Sequence, residues 1–240
     1  MKKKIKAIGM FSGGLDSLLA AKVLSEQGIE VELVTFVSIF NEGNKERVAQ
    51  VAQEVKLPLH FVELGKDYLQ VILSPKHGYG SGVNPCIDCR IFLLKKAKEF
   101  AEKKGADFIF TGEVLGQRPM SQHKQALMGV EKEAGVKGFL LRPLSARVLP
   151  ETEIEAKGLV DRKKLMAIHG RSRKEQLALA EKHGFKNYFT PAGGCLLTEK
   201  EYAVKFRDLI KHRKNISFDD LLLLKYGRHF RAGKNKISGG

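Results

Sequence analysis

The chain has 240 residues, 43% of them hydrophobic, which is enough for one α/β core with a smaller appendage and too apolar for a disordered chain. Lys and Arg number 42 against 27 Asp and Glu, a formal charge of +15; that balance suits a polyanionic partner through phosphate attraction and counterion release, although a lysine-rich solvated surface would give it too. No apolar run reaches the roughly 18 residues of a membrane span, and the basic start leads into a short strand and a Gly-rich turn, not the apolar segment of a signal peptide, so a cytoplasmic protein with no membrane partner is expected.

Residues 5–11 form an apolar run ending in Ser-Gly-Gly, which predicts a buried strand. Residues 17–27 carry Leu18, Leu19, Ala21, Val23 and Leu24 ahead of Gly28, a helix with a glycine stop. A second buried strand is predicted over 31–37, an amphipathic helix over 45–55, a third strand over 60–63 and a short helix over 67–73. Residues 74–85 hold three glycines and two prolines, the composition of a long loop that is functional or mobile. A helix over 87–104 follows, with Ile91, Leu94, Ala97, Phe100 and Ala101 on one face, then strands over 107–111 and 139–141. Strands alternating with helices imply βαβ units. The expected fold class is therefore α/β, a doubly wound, mostly parallel five-strand sheet with a mainly helical C-terminal part. Helices are predicted over 173–183, 199–212 and 218–224. The expected domains are a phosphate-loop domain over 1–150, a helical region over 151–226 that carries Cys195, and a basic tail over 227–240 that is either disordered or the start of a further module.

The strongest local signal is Ser12-Gly13-Gly14-Leu15-Asp16-Ser17, between a predicted strand and a predicted helix. Glycines let backbone approach phosphate oxygens, and a helix start supplies free amides and the positive end of its dipole. Ser12 and Ser17 add hydroxyl donors. Asp16 by itself would repel phosphate, so a bridging Mg²⁺ is the natural partner. A plain N-cap would explain one Ser or Asp but not the whole hexapeptide. Neither the Walker-type loop nor the G-x-G-x-x-G dinucleotide fingerprint is present. The hexapeptide resembles the signature of the PP-loop ATP pyrophosphatases, an adenine nucleotide α-hydrolase-like fold. The resemblance implies ATP and Mg²⁺ as cofactors, cleavage between the α and β phosphates, and adenylation of a substrate oxygen, with Asp16 catalytic. In that fold the end of the second strand, here Phe36, lines the adenine pocket. Gly112, Glu113, Gln117 and Arg118 follow the fourth strand at its carboxyl end, where open α/β sheets bind ligands. Gly112 and Arg118 are the nucleotide candidates among them, Arg118 being equally readable as a solvated loop charge. Arg142, ending the fifth strand, is a weaker candidate.

Cysteines number three, too few and too odd for a disulfide framework. Asn84-Pro85-Cys86-Ile87-Asp88-Cys89-Arg90 enters a helix, and Cys195 lies in Gly193-Gly194-Cys195-Leu196. Together with Thr111-Gly112-Glu113, where Glu113 stands in place of a histidine, these segments resemble the tRNA thiouridylases of the 2-thiouridylase and 4-thiouridine synthetase type, over roughly residues 5–198. That resemblance implies an ATP-dependent tRNA sulfurtransferase: a uridine or cytidine carbonyl oxygen is adenylated with pyrophosphate release and replaced by sulfur. Its partners would be tRNA and a sulfur donor, either a protein persulfide or sulfide. Cys86, Cys89 and Cys195 are the catalytic thiols it implies. In one chemistry, one cysteine carries a persulfide and another closes a disulfide, helped by a helix N-terminus and Arg90. In the other, all three hold a 4Fe–4S cluster whose open iron binds sulfide; because no cysteine is left over as a carrier, the cluster is favoured. Zinc is a rival, but three cysteines lack a fourth ligand unless His or water supplies it. Either chemistry requires the Gly193-Gly194 turn to bring Cys195 beside the start of the helix over 87–104. Some proteins of this look are labelled tRNA thiouridylate methyltransferases, but no glycine-rich methyl-donor site is present.

Gly170-Arg171-Ser172-Arg173-Lys174 opens a helix with Ser172 as a good N-cap. Positive charge there opposes the dipole, which makes sense if Arg171, Arg173 and Lys174 meet RNA phosphates. The aromatic residues read as mostly core, so none is assigned to base stacking. Two other functions fit less well: a PP-loop ligase or sulfur transferase acting on a small molecule, and a non-enzymatic RNA-binding protein. The oligomeric state is open, a dimer being compatible.

Overall fold

In a computed structural model of the chain, residues 4–40, 45–118, 121–189 and 195–226 are described in full, and residues 228–232 and 235–239 by their backbone. Strands β1 (Lys6–Met10), β2 (Glu30–Val37), β3 (Leu59–Glu63), β4 (Phe108–Thr111) and β5 (Leu140–Leu141) form one all-parallel sheet in the order β3-β2-β1-β4-β5. Gly9 lies opposite Leu33 on one side and Phe110 on the other. The central strands are near-continuous apolar runs because helices cover both faces of such a sheet. The strand order reverses at β1, so the crevice beyond the carboxyl ends of β1 and β4 is the topological switch point where open α/β sheets take ligands. The expected parallel five-strand sheet is thus present.

Helix α1 (Leu15–Ser25) follows β1 and buries Leu15, Leu18, Leu19 and Leu24, each contributing about 1.5–3 kcal/mol of transfer free energy. Helices α2 (Lys45–Gln53), α3 (Lys66–Leu73) and α4 (Cys86–Lys103) keep to the predicted spans within a residue or two at each end. Helix α5 (Lys124–Ala134) has no counterpart in the sequence reading. Its interior Gly129 and its buried Glu131 hide the apolar face made by Leu127, Val130 and Ala134. Further on come α6 (Glu153–Ala156), α7 (Lys174–Lys182), α8 (Lys200–His212) and α9 (Phe218–Leu223). Among the described residues no helix is long and apolar enough to cross a membrane.

The chain divides into two compact units that interleave along the sequence. The first comprises Met1–Phe36, Asn44–Val62 and Arg90–Pro191; the second comprises Val37–Gly43, Glu63–Cys89 and Ala192–Gly240. A linear cut near residue 150 does not follow this packing. Ile154, Val160, Leu165, Ile168, Ala180 and Phe185 share one core with Ala7, Leu18 and Phe110, because the helix-covered face of the sheet needs that apolar surface to close it. The second unit has its own core, with Phe40, Tyr68, Ile72, Val83, Leu197, Tyr202, Phe206 and Leu221 buried. Phe40 meets the edges of Tyr68 and Tyr202 at centroid distances of 6.4 and 6.2 Å, the offset geometry that aromatic quadrupoles prefer.

The tail, expected to be either disordered or the start of a further module, carries two strands. Strands β6 (Arg228–Ala232) and β7 (Asn235–Gly239) pair antiparallel. Alternation of Phe230 and Ala232 with His229 and Arg231 is a short strand pattern that the net basic character of the segment obscured.

Candidate functional site

The phosphate loop leaves β1 at Phe11, whose backbone N–H reaches Val34 of β2 at 2.8 Å. Gly13 has φ +73°, a left-handed conformation that favours glycine, and its carbonyl accepts from the Phe189 backbone at 2.8 Å. A side chain at Gly13 would stand 3.2 Å from the Phe189 ring. The Ser17 hydroxyl donates to the Gly14 carbonyl at 2.8 Å, while the Ser12 and Ser17 hydroxyls lie 3.3 Å apart. Gly14 caps α1 with no side-chain hydrogen bond. The first-turn amides of α1 therefore have no side-chain acceptor at the cap, which is what an anion at a helix start requires.

Asp16 is the second residue of α1. Its Oδ2 accepts from Gln117 Nε2 at 2.8 Å, and Gln117 Oε1 accepts from Gln176 Nε2 at 3.3 Å. Its Oδ1 is buried and has no hydrogen-bond partner among the described residues. An orphaned carboxylate oxygen beside a phosphate-type loop fits a hard divalent cation such as Mg²⁺. Gly112 explains itself sterically: a Cβ there would lie 2.5 Å from the Asp16 carbonyl carbon and the Ser17 nitrogen. The strand end and the start of α1 approach too closely for any side chain. Phe36 is buried at the end of β2, and Arg118 is exposed. Of the two residues Gln117 and Arg118, it is the amide that reaches the Asp16 carboxylate.

Two arginines read as available cations are already committed. Arg142 is buried and donates through Nε to Glu113 at 2.8 Å and through Nη1 to Glu131 at 2.6 Å. Glu113 also pairs with Arg90 and accepts from Thr111 at 3.1 Å. Arg142 is therefore not a free phosphate binder, and Arg90 shares Glu113 with it. The glutamate in place of histidine makes sense here, since its charge compensates two guanidinium groups.

At the start of α7 the capping residue is Arg173, not Ser172. The Ser172 hydroxyl still accepts from the Lys174 backbone at 3.4 Å. Arg171 and Lys174 are exposed, Arg173 half-buried.

The thiols belong to the second unit and none is in a disulfide among the described residues, with Cys86 and Cys195 exposed and Cys89 half-buried. The 74–85 loop is held at both ends. Asp88 accepts from the Lys76 and His77 backbones at 3.1 and 3.0 Å and lies 3.0 Å from His77 Nδ1. Desolvation works to raise the Asp88 carboxyl, but these partners outweigh it and hold it below the ordinary carboxylate range. Asn84 accepts from the Gly82 backbone at 3.0 Å and donates to Cys86 Sγ at 3.1 Å. Val83 donates its N–H to the Leu197 carbonyl at 3.0 Å, which lays the segment after Cys195 along the loop before Cys86. The Gly193-Gly194 turn lies outside the described residues. Burial raises the Cys195 thiol, opposed by the Leu197 backbone and reinforced by Cys86. Tyr68, buried in the aromatic core, puts its hydroxyl 3.3 Å from Cys89 Sγ. Burial first, then Cys89, holds that phenol far above its usual range. Neither Asn84 nor Tyr68 carried a sequence signal as a thiol partner. For a 4Fe–4S cluster the donor set is chemically right, three thiols, but among the described residues no three His, Cys, Asp or Glu side chains gather closely enough to hold a metal ion.

Comparison with known proteins adds relatives. Over 125 residues the chain is 34% identical to the tRNA-specific 2-thiouridylase MnmA of Syntrophotalea carbinolica, covering 47% of this chain and 36% of that protein. Against the enzyme of the same name from Psychromonas ingrahamii it is 28% identical over 171 residues, 63% of this chain and 46% of the other. The chain therefore spans less than half the length of these curated relatives. A crystal structure of a 4-thiouridine synthetase–RNA complex with bound ATP superposes with a TM-score of 0.49 at 24% identity, over 75% of this chain and 53% of that one. The family model described as thiamine biosynthesis protein (ThiI) matches residues 3–154. That stretch takes in the phosphate loop, β4 and the glutamine bonded to Asp16, and since it covers more than half of the 240 residues, the chain belongs to the ThiI family.

Proposed function

We propose that this chain uses ATP to adenylate a carbonyl oxygen of a tRNA base and replaces that oxygen with sulfur. The observation that carries the reading is the Asp16 carboxylate, fixed through one oxygen and bare at the other, beside a helix start whose cap leaves its amides unclaimed. In the proposed step the base oxygen attacks the α-phosphorus and pyrophosphate leaves. The loop amides and the Ser12 and Ser17 hydroxyls would hold phosphate oxygens, Ser17 turning from the Gly14 carbonyl to do so, and Asp16 Oδ1 would hold a Mg²⁺ whose charge would offset theirs. A sulfur nucleophile then adds to the base carbon and AMP departs with the former carbonyl oxygen.

Cys86, Cys89 and Cys195 are proposed as the sulfur-handling residues. They serve as persulfide carrier and resolving thiol, or as three ligands of a 4Fe–4S cluster; anaerobic iron reconstitution followed by visible absorbance separates these uses. Arg171, Arg173 and Lys174 are proposed to meet RNA phosphates, in keeping with the net charge of +15. The deciding experiment is mass spectrometry of tRNA nucleosides from cells lacking the gene: a missing thionucleoside supports the reading. A second reading, sulfur transfer to a small molecule, is favoured by the family's description as thiamine biosynthesis. It predicts an intact thionucleoside profile together with a thiamine requirement. In either case Asp16→Ala should abolish ATP-dependent pyrophosphate release.

A further inference from the structure

We infer that Gln117 and Gln176 are positioning residues that aim the Asp16 carboxylate at the cation accompanying ATP; the inference rests on the proposed role of Asp16 as a magnesium ligand. Gln117 Nε2 donates to Asp16 Oδ2 at 2.8 Å, and Gln176 Nε2 donates to Gln117 Oε1 at 3.3 Å. Among the described residues no other hydrogen bond reaches this carboxylate. The chain of donors has one workable polarity. If the Gln117 amide turned over, its oxygen would face a carboxylate oxygen, two acceptors with no proton between them. Gln176 settles that choice by offering an N–H to the Gln117 oxygen.

The position of Gln176 suits this task. It is fully buried on α7, which packs against α1, so water does not compete for its amide. Its Oε1 is buried with no partner among the described residues. A fully buried amide with an unmet acceptor is costly, and a core position would ordinarily be apolar. Occupying Oδ2 leaves Asp16 Oδ1 as the free oxygen and stops rotation of the carboxylate. Outer residues that orient a metal ligand in this way typically govern about 10- to 100-fold in metal affinity.

The test is Mn²⁺ binding to the full chain in the presence of α,β-methylene-ATP, read by electron paramagnetic resonance of free Mn²⁺, with metal-free affinity for the same analogue measured alongside. Gln117→Met should weaken Mn²⁺ binding by about tenfold or more and leave metal-free nucleotide affinity unchanged. Gln176→Met should weaken it less. The double variant should match Gln117→Met alone, because Gln176 acts only through Gln117. Gln117→Asn, at a half-buried site, withdraws the donor by one methylene and serves if the buried Gln176→Met does not fold. If Asp16→Asn loses Mn²⁺ while the Gln117 variants bind it as the wild type does, the inference is overturned and the magnesium reading stands. Losses that multiply in the double variant overturn the role of Gln176. Wild-type Mn²⁺ binding by Asp16→Asn overturns the magnesium reading and the inference together.

Discussion

Gly112→Ala tests how the phosphate site is built, because the added carbon has nowhere to go. The Cβ would lie 2.5 Å from the Asp16 carbonyl carbon and the Ser17 nitrogen and 2.6 Å from the Asp16 carbonyl oxygen. All three neighbours are backbone, so no rotamer change relieves the clash. An ordinary contact at 3.4 Å requires the start of α1 to retreat by close to 1 Å. Overpacking of this kind costs about 1–3 kcal/mol. The functional cost is larger, since a misplacement of about 1 Å in a catalytic constellation can cost about 10²-fold in rate. Here the displaced atoms are the loop amides and the Asp16 carboxylate themselves. The assay is steady-state pyrophosphate release with ATP and unmodified tRNA, paired with urea unfolding. Gly129→Ala is the matched control. It makes the same chemical change inside α5, where a Cβ meets nothing within 4 Å, and it should stabilise by up to about 1 kcal/mol through helix propensity. Wild-type turnover and stability for Gly112→Ala would refute the close approach of β4 to α1.

Arg142→Met should destabilise by about 3–5 kcal/mol, since it strands Glu131 in the core and leaves Glu113 with Arg90 and Thr111; Glu131→Gln in the same background should recover part of the loss, as read by urea unfolding. Glu32 is desolvated, but Lys6, His60 and Lys104 outweigh that and hold its carboxyl at about 2. Its stabilisation is therefore present above about pH 4.5 and lost as pH falls toward 2, so Glu32→Gln should cost about 1–3 kcal/mol at pH 7 and flatten the acid limb of a stability–pH curve. Iodoacetamide labelling followed by peptide mass spectrometry should find Cys86 and Cys195 modified faster than the half-buried Cys89. Labelling of Cys195 should keep rising above the ordinary thiol pKa of about 8.5, because burial pushes that thiol up; a midpoint at or below 8.5 would contradict it.

What could be read in the sequence is what local chemistry dictates. Buried parallel strands announce themselves as apolar runs, so residues such as Ile8, Leu33 and Ile109 were assignable without a partner in view. The phosphate loop is six consecutive residues whose types make sense only together. The features that escaped are pairings between remote segments. Gln117 reaches Asp16 across a separation of 101 residues, and Gln176 reaches Gln117 across 59; a glutamine in a sequence carries no mark of its partner. Arg142 and Arg90 looked like available cations because Glu113, which neutralises both, reads only as a departure from a familiar tripeptide. The aromatic core of Phe40, Tyr68 and Tyr202 is assembled from three distant stretches, none apolar enough to stand out. Packing also overrode the linear domain division: residues 151–191 supply the apolar surface that closes the sheet unit.

The contrast in burial between the two sites bears on the proposed chemistry. Binding a triphosphate with its cation calls for donors fixed before the ligand arrives, because reorganising them costs binding energy. The first unit meets that need with backbone amides, a carboxylate locked through one oxygen and an amide chain anchored in the core. Sulfur delivery has the opposite requirement. A thiol that takes sulfur from another molecule must be reachable and must reach the thiolate state. Cys86 and Cys195 are exposed, and the Asn84 amide donates to Cys86 Sγ at 3.1 Å without closing that sulfur off. Cys89 differs, half-buried with the Tyr68 O–H at 3.3 Å. A sulfur held this way suits attack within the chain better than capture from outside. Under the persulfide route this division favours Cys86 as the carrier that accepts sulfur, since the raised Cys195 thiol reaches the thiolate less readily, and leaves Cys89 to close the disulfide that releases it.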